Sequence, residues 1–272
     1  MRKVKLAILD MYDGTPNQGM RCIREIVNTF ASYIDYQIFD VRGKAEVPDL
    51  SFDVFISTGG PGSPHDGNGN WDALYYAWLE DAWKWNQQHR EGKKHIFFIC
   101  HSFQMAVKHF GLAKVCRRKS QSFGTFRCHK TNAGVMEPLF EELPDPFFIA
   151  DFRDWQCIQP NLERFGKMGA EILALEKIRP HVPLERAIMA IKFSPQFFGT
   201  QFHPEADSSG MLDHFLDPNR RKEIVKNHSE EKYLRMIDHL NDPDKIGLTH
   251  DVVLPGFLRR AVRAVRSEIL VL

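Results

Sequence analysis

One cysteine stands where a thiol can act as a nucleophile. Cys100 ends the apolar run 96–100, which predicts a buried strand, and the helical pattern 102–110 follows it. Sites in open α/β sheets lie at the carboxyl ends of strands, and a helix N-terminus lowers the pKa of a thiol placed there. The backbone N–H of His101 would point to where an oxyanion forms. The alternative interpretation is a buried core cysteine.

A histidine and a carboxylate follow a second predicted strand. His203 comes directly after the apolar run 197–202, and Glu205 is two residues further on. A histidine at a strand end can lie over the same sheet edge as Cys100, and Glu205 could accept a hydrogen bond from its imidazole. This is the arrangement of nucleophile, base and orienting group that catalytic triads use. Taken alone, His-Pro-Glu is equally compatible with a surface or capping histidine.

A glycine-rich loop follows the predicted strand 52–57. Gly59, Gly60 and Gly62 surround Pro61, and glycines there allow the backbone to approach a substrate closely. Such a loop could aim an N–H at a developing negative charge and complete an oxyanion hole with His101. Phosphate binding is disfavoured because neither GxGxxG nor GxxxxGK[ST] is present. A plain connecting loop remains the alternative.

The order and spacing of these segments resemble the class I glutamine amidotransferases, the triad glutaminase family. The resemblance covers roughly residues 4–205, and its motifs are the stretches 57–64, 99–104 and 199–205. The chain is similar to stand-alone members that resemble the glutaminase domain of GMP synthase. The resemblance implies hydrolysis of glutamine without a cofactor or metal. It also implies a partner, a synthetase or another acceptor, to which the ammonia could pass.

The resemblance also implies roles for individual residues. The Cys100 thiolate would attack the side-chain amide, His203 would protonate the leaving ammonia and Glu205 would orient His203. The implied oxyanion hole consists of Gly59, Gly60 and His101. The implied substrate pocket is formed by Gln104, Pro61 and Gly62.

Three departures from the family pattern keep other functions open. Phe98 and Ser102 replace the glycines that usually flank the nucleophile, and Ser122 stands where a glutamate is common. One alternative is a hydrolase of γ-glutamyl amides or peptides that uses the same machinery. The other is a non-catalytic regulatory module with a degenerate turn at the cysteine.

The elements that must position these residues alternate between strands and helices. Strands are predicted at 4–9, 36–39, 52–57 and 96–100, and helices at 20–30, 71–89 and 102–110. This indicates an α/β fold with a doubly wound, mostly parallel, flavodoxin-like sheet that has helices on both faces. Antiparallel strands are predicted to extend the sheet at 147–150, 171–175, 187–191 and 197–202.

A helical extension is predicted to pack on this domain. We expect a glutaminase domain over 1–206 and an extension over 207–272. The helices of the extension are predicted at 210–216, 220–227, 230–240 and 255–270. Pro255 should occupy the first turn of the last helix.

Composition excludes several classes of function. The 272 residues are 43% hydrophobic and 26% charged, which is typical of a globular protein, and the net charge is +1. A near-neutral chain has no bulk attraction to nucleic acid or to an anionic membrane, and no apolar run approaches the roughly 20 residues that span a bilayer. The five cysteines form no CxxC pair, and the histidines lack metal-ligand spacing. We therefore expect reduced thiols, no metal site and a cytoplasmic location.

Overall fold

The computed structural model of the chain describes residues 2–180 and 183–269. Its first half alternates strands and helices: β1 Val4–Asp10, α1 Gln18–Asn28, β2 Ile34–Asp40, α2 Val41–Lys44, β3 Val54–Ser57, α3 Trp71–Gln88, β4 His95–Ile99 and α4 His101–His109. The middle adds β5 Ala113–Lys130, α5 Asn132–Met136, a 3-10 turn Pro138–Phe140, β6 Phe147–Pro160, α6 Leu162–Met168, β7 Glu171–Glu176, β8 Ile188–Lys192 and β9 Phe197–Thr200. The remainder is helical: α7 Ser208–Leu216, α8 Pro218–Asn227, α9 Glu230–Asn241, a π-helical turn Pro243–Gly247 and α10 Leu248–Ile269.

The described strands form one sheet in the order β2-β1-β3-β4-β9-β8-β7-β5-β6. The five strands from β2 to β9 pair in parallel, and the remaining pairings are antiparallel. This confirms the predicted doubly wound α/β fold with antiparallel additions. The prediction for 197–202 was wrong in one respect, because β9 runs parallel to β4 and is antiparallel only to β8. It is a central strand with both faces buried, as strands in parallel sheets usually are.

The antiparallel hairpin of β5 and β6 is much longer than the predicted strand at 147–150. Residues of β5 and β6 pair from Ala113 to Cys128, with irregular register between Arg117 and Ser122. The sequence of β5 is rich in lysine and arginine, so it lacks the apolar run or the clean alternation that predicts a strand. Its backbone bonds to β6 and β7 decide its conformation instead.

Helices cover both faces of the sheet, and the apolar side chains of β1 alternate between the two faces. Leu6 and Ile8 belong to the hydrophobic cluster that α1 and α10 cover, whereas Ala7 and Leu9 belong to the cluster that α3 and α4 cover. Helix α10 inserts buried side chains directly into the first of these clusters, namely Val253, Leu254, Phe257, Leu258 and Ala261. Helix α10 therefore forms part of the main core.

The helices of the C-terminal region lie close to the predicted positions, with one correction. Pro255 does not occupy the first turn of the last helix, because α10 begins at Leu248 and Pro255 lies inside it. Burial of residues 252–254 and a hydrogen bond from Thr249 Oγ1 to the carbonyl of Phe148 (2.6 Å) hold the preceding turns in place. The predicted end of this helix at Leu270 lies outside the described residues. Among the helices described, none is long and apolar enough to cross a membrane.

Candidate active site

Cys100 lies at the turn between β4 and α4, where the sequence predicts it. Its backbone adopts φ 47° and ψ −94°, a combination that residues with a Cβ rarely adopt. The N–H of Cys100 donates to the carbonyl of Thr200 (2.8 Å), and its own carbonyl accepts from the N–H of Gln104 (3.0 Å). These bonds tie the strained turn to β9 and to the first turn of α4. The turn thereby holds the thiol at the carboxyl edge of the sheet.

Ser102 replaces a glycine of the family pattern without straining the turn. It lies in the first turn of α4, where the backbone is helical and a Cβ is allowed. Its buried hydroxyl accepts from the N–H of Ile99 (3.0 Å) and donates to the carbonyl of Ser57 at the end of β3 (2.6 Å). The serine therefore joins two neighbouring strand ends that carry site residues.

His203 and Glu205 meet Cys100 at the same edge of the sheet. Nδ1 of His203 lies 2.8 Å from Oε1 of Glu205, whose side chain is almost fully buried. Burial lowers the pKa of His203, but the negative charges of Glu205 and of the Cys100 thiolate outweigh it. The pKa of His203 therefore lies well above its ordinary value of 6.5. The arrangement favours the imidazolium form of His203.

Gly59 is placed so closely against this pair that only glycine fits. A Cβ at Gly59 would lie 2.9 Å from Cε1 of His203 and 3.6 Å from Cβ of Cys100. The following turn is held by Arg42, whose Nη1 donates to the carbonyl of Pro61 (2.6 Å) and to that of Met11 (3.3 Å). The glycine-rich loop is therefore fixed beside the thiol and the imidazole.

Comparison with known proteins decides the family. The family model "Glutamine amidotransferase class-I" matches residues 7–219. The chain belongs to the class I glutamine amidotransferases. No curated protein matches it.

Several solved structures have the same fold as this chain. A Thermotoga maritima glutamine amidotransferase is 16% identical with a TM-score of 0.62, over 96% of this chain and 99% of its own. A Thermoplasma acidophilum protein, named as a candidate component of GMP synthase, is 17% identical with a TM-score of 0.53, over 92% and 95%. The glutaminase domain of Trypanosoma brucei CTPS with bound acivicin is 16% identical with a TM-score of 0.55, over 75% and 86%.

Two cavities meet at Cys100 of the amidotransferase. The first has a volume of about 460 Å³ and lies on the side of α4 and α7. It is lined by six predicted site residues: Gly60, Pro61, Gly62, Cys100, His101 and Gln104. Its outer walls are formed by the hairpin and by α7, including Phe152, Trp155, Met211, His214 and Phe215. The region beyond residue 206 therefore helps to enclose this cavity.

The second cavity shares part of its lining with the first, including Cys100. It has a volume of about 370 Å³ and is lined by His203 and Glu205 together with Gly60, Pro61 and Cys100. The thiol thus faces one space that reaches Gln104 and another that contains the imidazole. Gly59 lines neither cavity and instead lies between His203 and Cys100.

His101 is buried beside the thiol and stays uncharged. Burial, and to a lesser extent the charge of Arg42, lower the pKa of His101 to about 3. The side chain of His101 therefore contributes no positive charge to the site.

Gln201 contacts two of the predicted site residues, although the sequence assigns it no role. Its side chain is fully buried, its Nε2 donates to Sγ of Cys100 (3.8 Å), and its Oε1 accepts from Nε2 of Gln104 (3.2 Å). One amide therefore connects the thiol to the predicted substrate-binding glutamine. The sequence signal that could have identified Gln201 is its position two residues before His203, after the same strand.

Tyr12 was missed because nothing near it in the sequence indicates a site. Its hydroxyl occupies the space beside Gly19 and Gly59, within a few ångströms of Glu205 and His203. Burial, followed by the charges of Glu205 and Cys100, raises the pKa of Tyr12 well above its ordinary value. The phenol stays protonated and can act as a donor at this position.

Ser122 takes part in a buried ionic network next to the site. Its hydroxyl donates to Oδ2 of Asp151 (2.6 Å), which also binds Arg153 Nε at 3.1 Å. Arg153 is nearly fully buried, and its Nη2 lies 3.5 Å from Glu176. The polar contact at Ser122 is thus made to β6 and not to the turn at Cys100. Within the described residues, no group of three or more His, Cys, Asp or Glu is arranged to hold a metal ion.

Proposed function

We propose that this amidotransferase hydrolyses the side-chain amide of glutamine with Cys100, His203 and Glu205 as its triad. The observation that carries the proposal is the thiol on a strained turn beside an imidazole that is bonded through Nδ1 to a buried carboxylate. This is the geometry that thiol-dependent acyl transfer requires, and the raised pKa of His203 favours the charged pair.

The steps follow from the positions of these groups. The thiol proton passes to Nε2 of His203, and the thiolate attacks the amide carbon. Backbone N–H groups of His101 and of Gly60, or Gly59, receive the negative oxygen. The imidazolium then protonates the leaving nitrogen, so that ammonia departs and a thioester remains. Water, deprotonated by His203, attacks the thioester, releases glutamate and restores the thiol.

We assign the substrate and the ammonia to different cavities. Glutamine would occupy the 460 Å³ cavity against Gln104, Pro61 and Gly62, and ammonia would leave on the side of His203. A synthetase or another acceptor is the partner proposed for that ammonia, and the chemistry needs no cofactor. We retain 1–206 as the glutaminase domain and 207–272 as its extension. The described cysteines are free, which fits a cytoplasmic location.

A second candidate function is hydrolysis of γ-glutamyl amides or peptides. The group attached to the amide nitrogen would lie where the ammonia leaves, in the second cavity of about 370 Å³ beside His203. Cavities of about 300–1,000 Å³ enclose ligands larger than an amino acid. The space beyond the amide nitrogen could therefore accept a peptide.

Release of glutamate distinguishes these functions. We expect the isolated protein to release glutamate from glutamine, and Cys100→Ala and His203→Ala to abolish release. The matched control is Cys116→Ala, which removes a thiol of β5 outside both cavities. Faster release from γ-glutamyl dipeptides than from glutamine would favour the second function. No release from either, with Cys100 reacting no faster than Cys116 with a glutamine-like alkylating analogue, would overturn both and favour a non-catalytic module.

A further inference from the structure

A basic groove lies between the hairpin and helix α9, away from the thiol. It has a volume of about 740 Å³, and its cationic or titratable lining residues are Arg127, His129, Lys177, Lys232, Arg235 and His239. Lys232, Arg235, Met236 and His239 recur at the spacing that puts them on one face of α9. Arg127 comes from β5, and Lys177 follows the end of β7. Three separate elements therefore converge to form the groove.

The cations of the basic groove are poorly neutralised by the protein. In the part of the chain that the structure describes, Arg127, Lys177 and Lys232 have no carboxylate within 4.0 Å. Among the residues described, Arg235 has a single carboxylate partner, the largely exposed Glu231 at 3.4 Å.

The neighbouring carboxylates are already engaged by other cations. Glu176 binds Arg118 (2.9 Å) and Arg179 (3.0 Å), and Asp238 lies 3.4 Å from Lys245. An excess of positive charge therefore remains in the groove, although the whole chain is nearly neutral.

Burial and the crowding of these cations lower the pKa values of Lys232 and Lys177. Burial lowers the pKa of Lys232, and the charges of Lys177 and Arg235 lower it further. Burial and the charge of Arg179 likewise lower the pKa of Lys177. An anion bound between the two lysines would relieve this repulsion and stabilise both ammonium groups.

Aromatic rings form the apolar part of the groove and support the cations. Nζ of Lys177 lies 4.3 Å from the ring centre of Phe126, and the guanidinium of Arg127 lies 5.8 Å from that of Phe148. Phe123 contributes to both the basic groove and the first cavity at Cys100. The groove thus combines several cationic donors with apolar surface in a space large enough for a small organic molecule.

We propose that the basic groove binds a small organic polyphosphate of the nucleoside di- or triphosphate class. Lysine and arginine are the residues that recognise phosphate oxygens, and the spread of cations over three elements suits more than one phosphate group. The apolar surface from Phe126, Phe148 and Met236 suits a planar base. A small ligand is favoured over nucleic acid because the cations line one cavity, and the chain as a whole has a net charge of only +1.

Calorimetric titration of the full chain with ATP tests the proposal. We expect ATP to bind, pyrophosphate to bind more weakly and adenosine not to bind measurably. The double variant Lys177→Ala/Lys232→Ala should weaken ATP binding at least tenfold. Lys222→Ala/Lys226→Ala, which removes two exposed lysines of α8, should leave ATP binding unchanged. Thermal unfolding of each variant establishes that it is folded.

Three outcomes would contradict the proposal of a polyphosphate ligand. Absence of ATP and pyrophosphate binding by the unaltered protein would overturn the proposal. Equal ATP affinity of the unaltered protein and the folded Lys177→Ala/Lys232→Ala variant would do the same. Lysine-dependent binding of a single-stranded oligonucleotide without binding of ATP would replace the small ligand with a nucleic acid. The inference does not depend on the reaction proposed for Cys100, since every readout is binding.

Discussion

Phe98 of β4 lies directly opposite Gly199 of β9. The two are register partners in the parallel sheet, and a Cβ at Gly199 would lie 3.1 Å from Cβ of Phe98 and 2.8 Å from Cδ2 of Phe103. The Cβ of Phe98 is accommodated because the neighbouring strand has no side chain at this register position, and the ring packs edge-to-face on Phe193 and Phe197 at 5.6 and 6.2 Å.

This relationship predicts a coupled pair of mutations. Gly199→Ala should lower the free energy of unfolding by about 1–3 kcal/mol through overpacking, and Phe98→Ala by about 3–5 kcal/mol through the cavity it leaves. The double variant should be more stable than the sum predicts, by about 1 kcal/mol, because loss of the Phe98 ring gives Phe193, whose ring packs 5.6 Å from it, room to move away from the added methyl group. Urea denaturation measures all three. Additivity within about 0.3 kcal/mol would contradict the packing described.

Replacement of the orienting carboxylate should change the protonation of the site. Glu205→Gln removes the negative charge that, with Cys100, holds the pKa of His203 above its ordinary value, so the pKa should fall. The thiolate–imidazolium pair then becomes less populated, and kcat/KM for glutamine should fall by roughly 10- to 1,000-fold. The pH dependence of Cys100 alkylation measures the shift. Glu223→Gln on the exposed side of α8 is the control, and an unchanged alkylation profile in Glu205→Gln would rule out this role.

Arg42 should act on the reaction without touching the substrate. Arg42→Ala removes the bonds to the carbonyls of Pro61 and Met11 and frees the glycine-rich loop. We expect kcat to fall about tenfold or more with a smaller change in KM, because misplacement of a donor mainly costs transition-state stabilisation. Arg24→Ala, at an exposed position of α1, should have no effect. A loss confined to thermal stability would show that Arg42 is only structural.

Buried histidines should make the protein sensitive to acid. Burial, and then the charges of Arg260 and Lys94, lower the pKa of His95 to about 4 in the folded state, against 6.5 when unfolded. Between these values the unfolded chain binds more protons, so stability falls as the pH drops from 6.5 toward 4. The slope from this group is at most about 1.4 kcal/mol per pH unit. His95→Gln should flatten the pH dependence of the unfolding free energy in this window. A parallel curve for the variant would refute the assignment.

The local sequence determines where the reactive groups stand. Apolar runs followed by Cys100, by His203 and by the glycine-rich loop predict strand ends, and the carboxyl ends of parallel strands share one edge of a sheet. The triad candidates and the doubly wound fold could therefore be predicted from short windows of sequence, since each signal lies within one strand or turn.

The tertiary structure alone decides what surrounds those groups. Pairing of β9 between β4 and β8, the long hairpin of β5 and β6, and the start of α10 before Pro255 depend on partners far along the chain. The same is true of Tyr12 beside Glu205, of Arg42 on the loop and of the basic groove. A periodic pattern reports the burial of one element, but contacts between elements depend on strand order and register, which no single window of sequence contains.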